Sequence, residues 1–181
     1  MTNQTTSPVT EQFLKFSLHK LVEQYWPRLR STVESLSDEQ LWWRPNEASN
    51  SVGNLLLHLN GNIRQWLVAS FNRTPDVRDR PSEFAQGKHI STSALVDQLG
   101  RTMKEAAEVL ARLTEIDLLT CLQIQGYTVT GIEAVYTVVE HFGVHYGQVL
   151  YVAKMLRAEN LGFYRELDRT GRPESPSLRK S

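Results

Sequence analysis

From Thr130 to about Arg157 the chain carries no proline, and its apolar residues recur at helical steps: Val135, Val138, Val139, Phe142, Val149, Val152, Ala153 and Leu156. Thr130-Gly131-Ile132-Glu133 has the form of a capping box opening this segment. Three earlier segments keep the same period. Phe13, Phe16, Leu21, Val22, Tyr25, Trp26, Leu29, Val33 and Leu36 mark the first; Pro27 lies inside it and predicts a kink or a helix in two pieces. Val52, Leu55, Leu56, Leu59, Ile63, Trp66, Leu67 and Phe71 mark the second, opened by Ser49-Asn50-Ser51. Gly53 and Gly61 within it point to close packing against a neighbour rather than to a break. Leu95, Leu99, Met103, Ala106, Val109, Leu110 and Leu113 mark the third, after Ser91-Thr92-Ser93. Ser37-Asp38-Glu39-Gln40 predicts a short helical turn, closed by Trp42, Trp43 and Pro45. Thr120 to Val129, around Gly126, reads as a short extended or hairpin connection. Four long amphipathic helices with no convincing strand between them predict an all-α fold, a four-helix bundle.

Composition narrows the function classes. Twenty Lys and Arg balance twenty Asp and Glu among 181 residues, so the chain lacks the positive surplus that nucleic-acid binding needs. The polar start, Met1 to Ser7, has no signal-peptide pattern, no apolar run approaches a membrane span, and the one cysteine, Cys121, suits a reducing compartment. A cytoplasmic protein without nucleic-acid or membrane partners is expected. The expected layout is a flexible tail over 1–9, the bundle over 10–165 and a loose tail over 166–181. The stretch from Asn72 to Ile90 is long for a bundle connection and reads either as a functional cover or as solvated filler.

Five histidines are present: His19, His58, His89, His141 and His145. His141 and His145 stand four residues apart on the inward stripe of the last helix, with Val138 and Val149 above and below them. At that spacing both imidazoles project from one face, roughly 6 Å apart along the axis, and can reach a common cation. Gly143 and Gly147 remove bulk beside them. A third ligand must come from another helix, and His58, set in Leu55-Leu56-Leu57-His58-Leu59, is the best candidate; the plainer reading is a core histidine with ordinary partners. His19 is a candidate fourth or supporting group, and His89 reads as solvent-exposed. Arg44, Arg64 and Asn62 could serve a carboxylate-bearing ligand, with surface solvation the simpler reading of each. No His-Glu-x-x-His motif is present, and Glu140 points about 100° away from His141 on a helix, a poor position for a general base.

A mid-helix histidine followed about eighty residues later by His-x3-His resembles the DinB-like (YfiT-like) metalloenzyme superfamily. Leu41-Trp42-Trp43-Arg44-Pro45-Asn46, then Ser49 through Asn62, is similar to an uncharacterised branch of it, as is His145-Tyr146-Gly147-Gln148. The resemblance spans roughly residues 10 to 165. It implies a bundle of the DinB/YfiT-like type, often a homodimer, in which His58, His141 and His145 hold nickel, zinc or a similar divalent ion. It also implies metal-activated attack of a low-molecular-weight thiol on a small-molecule electrophile, in a thiol-dependent S-transferase or isomerase. The alternative is a dimeric bundle that binds metal or a small molecule without turnover. Trp26, Trp42, Trp43, Trp66, Phe71, Phe163 and Tyr164 exceed what one bundle core needs, which predicts either a homodimer interface or their cover within the chain.

Overall fold

The computed structural model describes residues 7–85 and 90–163. Helix α1 (Pro8–Leu18) starts where Ser7 accepts a hydrogen bond from the Thr10 amide and Pro8 takes the first turn. It passes through a π-helical segment, His19–Tyr25, into α2 (Trp26–Glu34). Pro27 sits in the first turn of α2, directly after the wide turns, so the helix is built of pieces without being broken. Ser37 and Gln40 form the expected capping box on α3 (Asp38–Leu41).

The second long helix is also composite: α4 (Val52–Ile63), a π-helical segment Arg64–Ala69, and α5 (Ser70–Asn72). Ser51 caps α4 in a capping box closed by Asn54. The Ser70 hydroxyl donates to the Gln65 carbonyl at 2.7 Å, satisfying an acceptor within the widened turns. Both glycines of α4 answer to neighbours. A Cβ on Gly53 would stand 2.8 Å from the Trp42 ring, and one on Gly61 would stand 2.0 Å from Glu83 Oε1.

The connection after Asn72 carries a short helix, α6 (Arg80–Ala85), before α7 (Thr92–Arg112). Over its described residues, 73–85, it is therefore structured rather than filler. A further short helix, α8 (Glu115–Leu119), precedes an antiparallel hairpin of β1 (Cys121–Ile124) and β2 (Tyr127–Thr130), in which Cys121 pairs with Thr130 and Ile124 with Tyr127. Its two-residue turn, Gln125-Gly126, has positive φ at both positions, the backbone that a tight hairpin requires. Helix α9 (Gly131–Arg157) opens on the Thr130/Glu133 capping box and ends at Ala158 in the left-handed region.

The long helices close around one core in which Leu21, Leu29, Leu59, Leu67, Leu99 and Phe142 are fully buried. Phe16, placed by period on the inner stripe, is 40% exposed instead: the buried stripe of this helix runs through Thr10, Leu14, Ser17 and Leu21, and Phe16 lies beside it. Trp42 and Trp66 are buried, and Trp26, Trp43, Phe71 and Phe163 are partly covered, so these rings find their cover within the chain. The Trp42 indole donates to the Ile90 carbonyl at 2.9 Å, and the Arg28 guanidinium lies over Phe163. Helix α1 begins inside the segment expected as a tail. Residues 1–6, His89, Tyr164 and the expected tail over 166–181 lie outside the described residues. No helix among the described residues is long and apolar enough to cross a membrane.

Candidate metal centre

Helices α4 and α9 bring His58 to His141 and His145. The His58 Nε2 stands 2.9 Å from His141 Nε2, and the ring centroids lie 4.9, 5.0 and 4.4 Å apart for the pairs 58–141, 58–145 and 141–145. The rings meet edge to face, and one ligand atom from each falls within 4.8 Å of the others. His58 is 5% exposed, whereas His141 and His145 are half-buried.

What surrounds each ring decides which nitrogen faces inward. His58 Nδ1 lies 2.8 Å from Glu83 Oε2, so an Nδ1–H donated to that carboxylate leaves the Nε2 lone pair free. His145 Nδ1 donates to Gln148 Oε1 at 2.7 Å, with the same result. Burial lowers the His141 pKa to about 4, with the neighbouring His145, His58, Arg78 and Arg80 adding to the effect. Burial also lowers that of His145, partly opposed by the Gln148 hydrogen bond. Neutral imidazoles with converging lone pairs are the donor set that a divalent first-row ion takes, at about 2.0–2.1 Å from each nitrogen. The residues present fit such an ion.

Glu83 comes from α6, and the connection that carries it is fastened along its length. Arg78 donates to both Glu83 oxygens, at 2.7 and 2.9 Å, and to Gln65 Oε1 at 2.8 Å. Asp76 accepts from Gln65, Asn54 donates to the Glu83 carbonyl at 2.9 Å, and Arg44 reaches the Phe84 carbonyl. The Phe84 ring lies 4.9 Å from His58. Burial works against the Glu83 charge, but hydrogen bonds from Arg78 and His58, together with the Arg78 charge, outweigh it and hold the carboxyl below its ordinary range.

Sequence reasoning missed Arg78, Glu83 and Phe84. Asp79 ahead of Pro81 is a helix-start signal that was there to read, although nothing local says which carboxylate turns inward. His19 stands apart from the centre and pairs with Glu23 at 2.9 Å. Surface solvation does not describe Asn62, which is buried with no partner for its Oδ1, nor Arg44, which also bonds Asn54 Oδ1 at 2.7 Å. Arg64 is half-exposed and pairs with Glu105. Gly143 and Gly147 do not make room for the imidazoles. A Cβ on Gly143 would meet Tyr25 at an ordinary 3.4 Å, and one on Gly147 would meet open space.

The described residues form an all-α bundle with three histidines gathered between two of its helices. Residues 8–165 match the family described as protein of unknown function (DUF1572), and the chain belongs to that family. None of the curated proteins matches the sequence. Among solved structures, a DinB-like protein from Bacillus cereus ATCC 10987 is 16% identical with a TM-score of 0.62, over 81% of this chain and 91% of that one. A DinB-like protein from Bacillus subtilis is 19% identical with a TM-score of 0.62, over 84% and 97%. The mycothiol-dependent maleylpyruvate isomerase is 15% identical with a TM-score of 0.60, over 75% of this chain and 60% of the isomerase. At these identities the likeness establishes the fold.

Proposed function

We propose that the chain is a divalent-metal-dependent enzyme whose His58, His141 and His145 hold nickel or zinc through their Nε2 atoms, with at least one coordination position open to a ligand. The observation that carries this reading is the convergence of the three imidazoles within 4.8 Å, with the outer nitrogens of His58 and His145 engaged. An ion bound there supplies a Lewis acid that lowers the pKa of a low-molecular-weight thiol. Glu83 holds the His58 ring in the required tautomer, and Gln148 does the same for His145. Phe84 and the apolar residues flanking His58 keep water from that side of the centre. The reaction is S-transfer or isomerisation: the thiolate sulfur bonds to an electrophilic carbon, the displaced electron pair leaves with the departing group or moves into a neighbouring double bond, and the thiol proton passes to solvent. The mycothiol-dependent isomerase of the same fold supports this choice of chemistry.

A non-catalytic metal- or small-molecule-binding bundle is the second reading, favoured by one observation: Glu83, the carboxylate at the centre, is fully engaged by Arg78 and His58 and offers no free base. A homodimer is part of the proposal. Tyr136, Val144, Tyr151 and Met155 are exposed along one face of α9, and a second copy of the chain is the partner that would cover it. A cytoplasmic setting suits the free, exposed thiol of Cys121.

Metal analysis of protein purified without a His-tag tests the centre. One equivalent of nickel or zinc is expected, lost in His58→Ala, His141→Ala and His145→Ala; a folded protein that takes up none overturns the reading. Thiol-transfer assays on the loaded protein then separate enzyme from binder. Sedimentation tests the dimer, and a mass of 20.7 kDa at micromolar concentration removes it.

A further inference from the structure

We propose that Arg80 anchors a carboxylate on the ligand that this centre takes, so that the site selects a ligand that is anionic at its far end as well as at the metal. The inference rests on the reading of the three histidines as a metal centre open to a ligand. It starts from how the charges around the centre are matched. Arg78 is neutralised by Glu83 through two hydrogen bonds, and both side chains are buried. Arg64 pairs with Glu105. Arg80 has no acidic partner among the described residues; its guanidinium lies over the face of Phe84, 5.1 Å from the ring centroid. Asp79, next to it in the chain, turns its carboxylate to the Ser82 amide, and Asp76 is held by Gln65 and the Arg78 amide.

The same Phe84 ring lies 4.9 Å from the His58 ring. Arg80 and His58 therefore both lie against Phe84, whose ring is tilted from that of His58, and the guanidinium is within about 10 Å of the His58 ring, a distance a small organic ligand spans. Phe84 sits on an anchored element. Asn54 and Arg44 hold the α6 carbonyls of Glu83 and Phe84 against α4, which fixes where the Arg80 backbone stands. A divalent ion and one unmatched guanidinium leave the region positive, and a guanidinium on an aromatic face still presents donors along its edges to a carboxylate. The ligand class is a small mercapto-carboxylate, with its sulfur toward the histidines and its carboxylate on Arg80.

The test uses cobalt(II)-loaded protein titrated with 3-mercaptopropionate and with 2-mercaptoethanol, followed by sulfur-to-cobalt charge-transfer absorption. Wild type is expected to bind the carboxylate-bearing thiol about tenfold more tightly, the scale of one charge-assisted hydrogen bond. Arg80→Ala should bring the two thiols to equal affinity with unchanged cobalt stoichiometry and melting temperature, and Arg80→Lys should keep part of the preference. Equal affinities in wild type, or a preference that survives in Arg80→Ala, overturns the proposal. If Arg80→Ala does not fold, Arg80→Gln carries the same comparison. If neither thiol alters the spectrum, the thiol reading falls by itself. The cobalt d–d bands under propionate and propionamide then decide Arg80: a preference for the anion that disappears in Arg80→Ala supports it, and any other result overturns it.

Discussion

Two connections join the long helices after Asn72 and after Arg112, and they are built in opposite ways. The second, residues 113–130, is held by its own neighbours. Thr114 and Asp117 close a capping box on α8, a two-residue turn joins β1 to β2, and Thr130 with Glu133 starts α9. The first, residues 73–85, pairs Arg78 with Glu83 and then ties that pair to residues outside it: Arg78 to Gln65, Glu83 to His58, and the Glu83 carbonyl to Asn54. The locally built connection puts only apolar side chains into the core, Leu113, Leu118 and Ile124, and leaves Tyr127 exposed. The one built by distant contacts reaches the histidines. A connection that satisfies itself has little left to offer a site, whereas one that must find partners in the core can bring a carboxylate and a guanidinium with it.

Breaking the buried pair attacks this contrast hardest. Glu83→Ala leaves the Arg78 guanidinium buried without its partner and is expected to cost about 3–5 kcal/mol in urea unfolding. The gentler Glu83→Gln should keep the fold and weaken metal affinity about 10- to 100-fold, because the His58 tautomer loses its carboxylate partner. A Glu83→Gln protein that binds metal as tightly as wild type would detach the connection from the site.

Gly61→Ala comes next. Its Cβ would stand 2.0 Å from Glu83 Oε1, so the carboxylate must move, at a cost of about 1–3 kcal/mol and with a parallel loss of metal affinity. Asp117→Ala in the other connection removes the cap partner of Thr114. It should cost about 1 kcal/mol and leave metal affinity unchanged. Equal effects of Gly61→Ala and Asp117→Ala on metal binding would erase the distinction between the two connections.

A further effect is one of pH, read on metal-free protein. The folded His141 value of about 4 lies below its ordinary 6.5, so the unfolded chain takes up that proton first. The stability contributed by the neutral ring is complete above pH 6.5 and is lost as pH falls toward 4. Glu83, also held low, adds to the loss at the acid end of that range. Urea midpoints that stay flat from pH 7 to about 4 would contradict the His141 shift.

Much of this was legible beforehand because it is written along the chain. Capping boxes at Ser37 and Thr130, the cap at Ser51 and the inward placement of His141 and His145 follow from spacing alone. Helix α8 has a capping box too, at Thr114, but its short run lacks the apolar period that marks the long helices. The π-helical turns left no comparable trace, since widening a helix by one residue depends on what its faces meet. Asn62 looked like a surface residue because its neighbours in sequence are polar, and the packing of α4 put it inside.

Sequence by itself determined four amphipathic helices, their starting caps and a pair of histidines on one inner face, because periods and caps join residues within a turn or two of each other. Tertiary structure alone decided that Glu83, of all the acidic residues, holds His58, that Gly61 makes room for it, and that Arg78 is spent on the pair while Arg80 is left unmatched at its edge. Those choices join residues that are interchangeable by type along the chain. Only burial in one place, where an unpaired charge is costly, tells them apart.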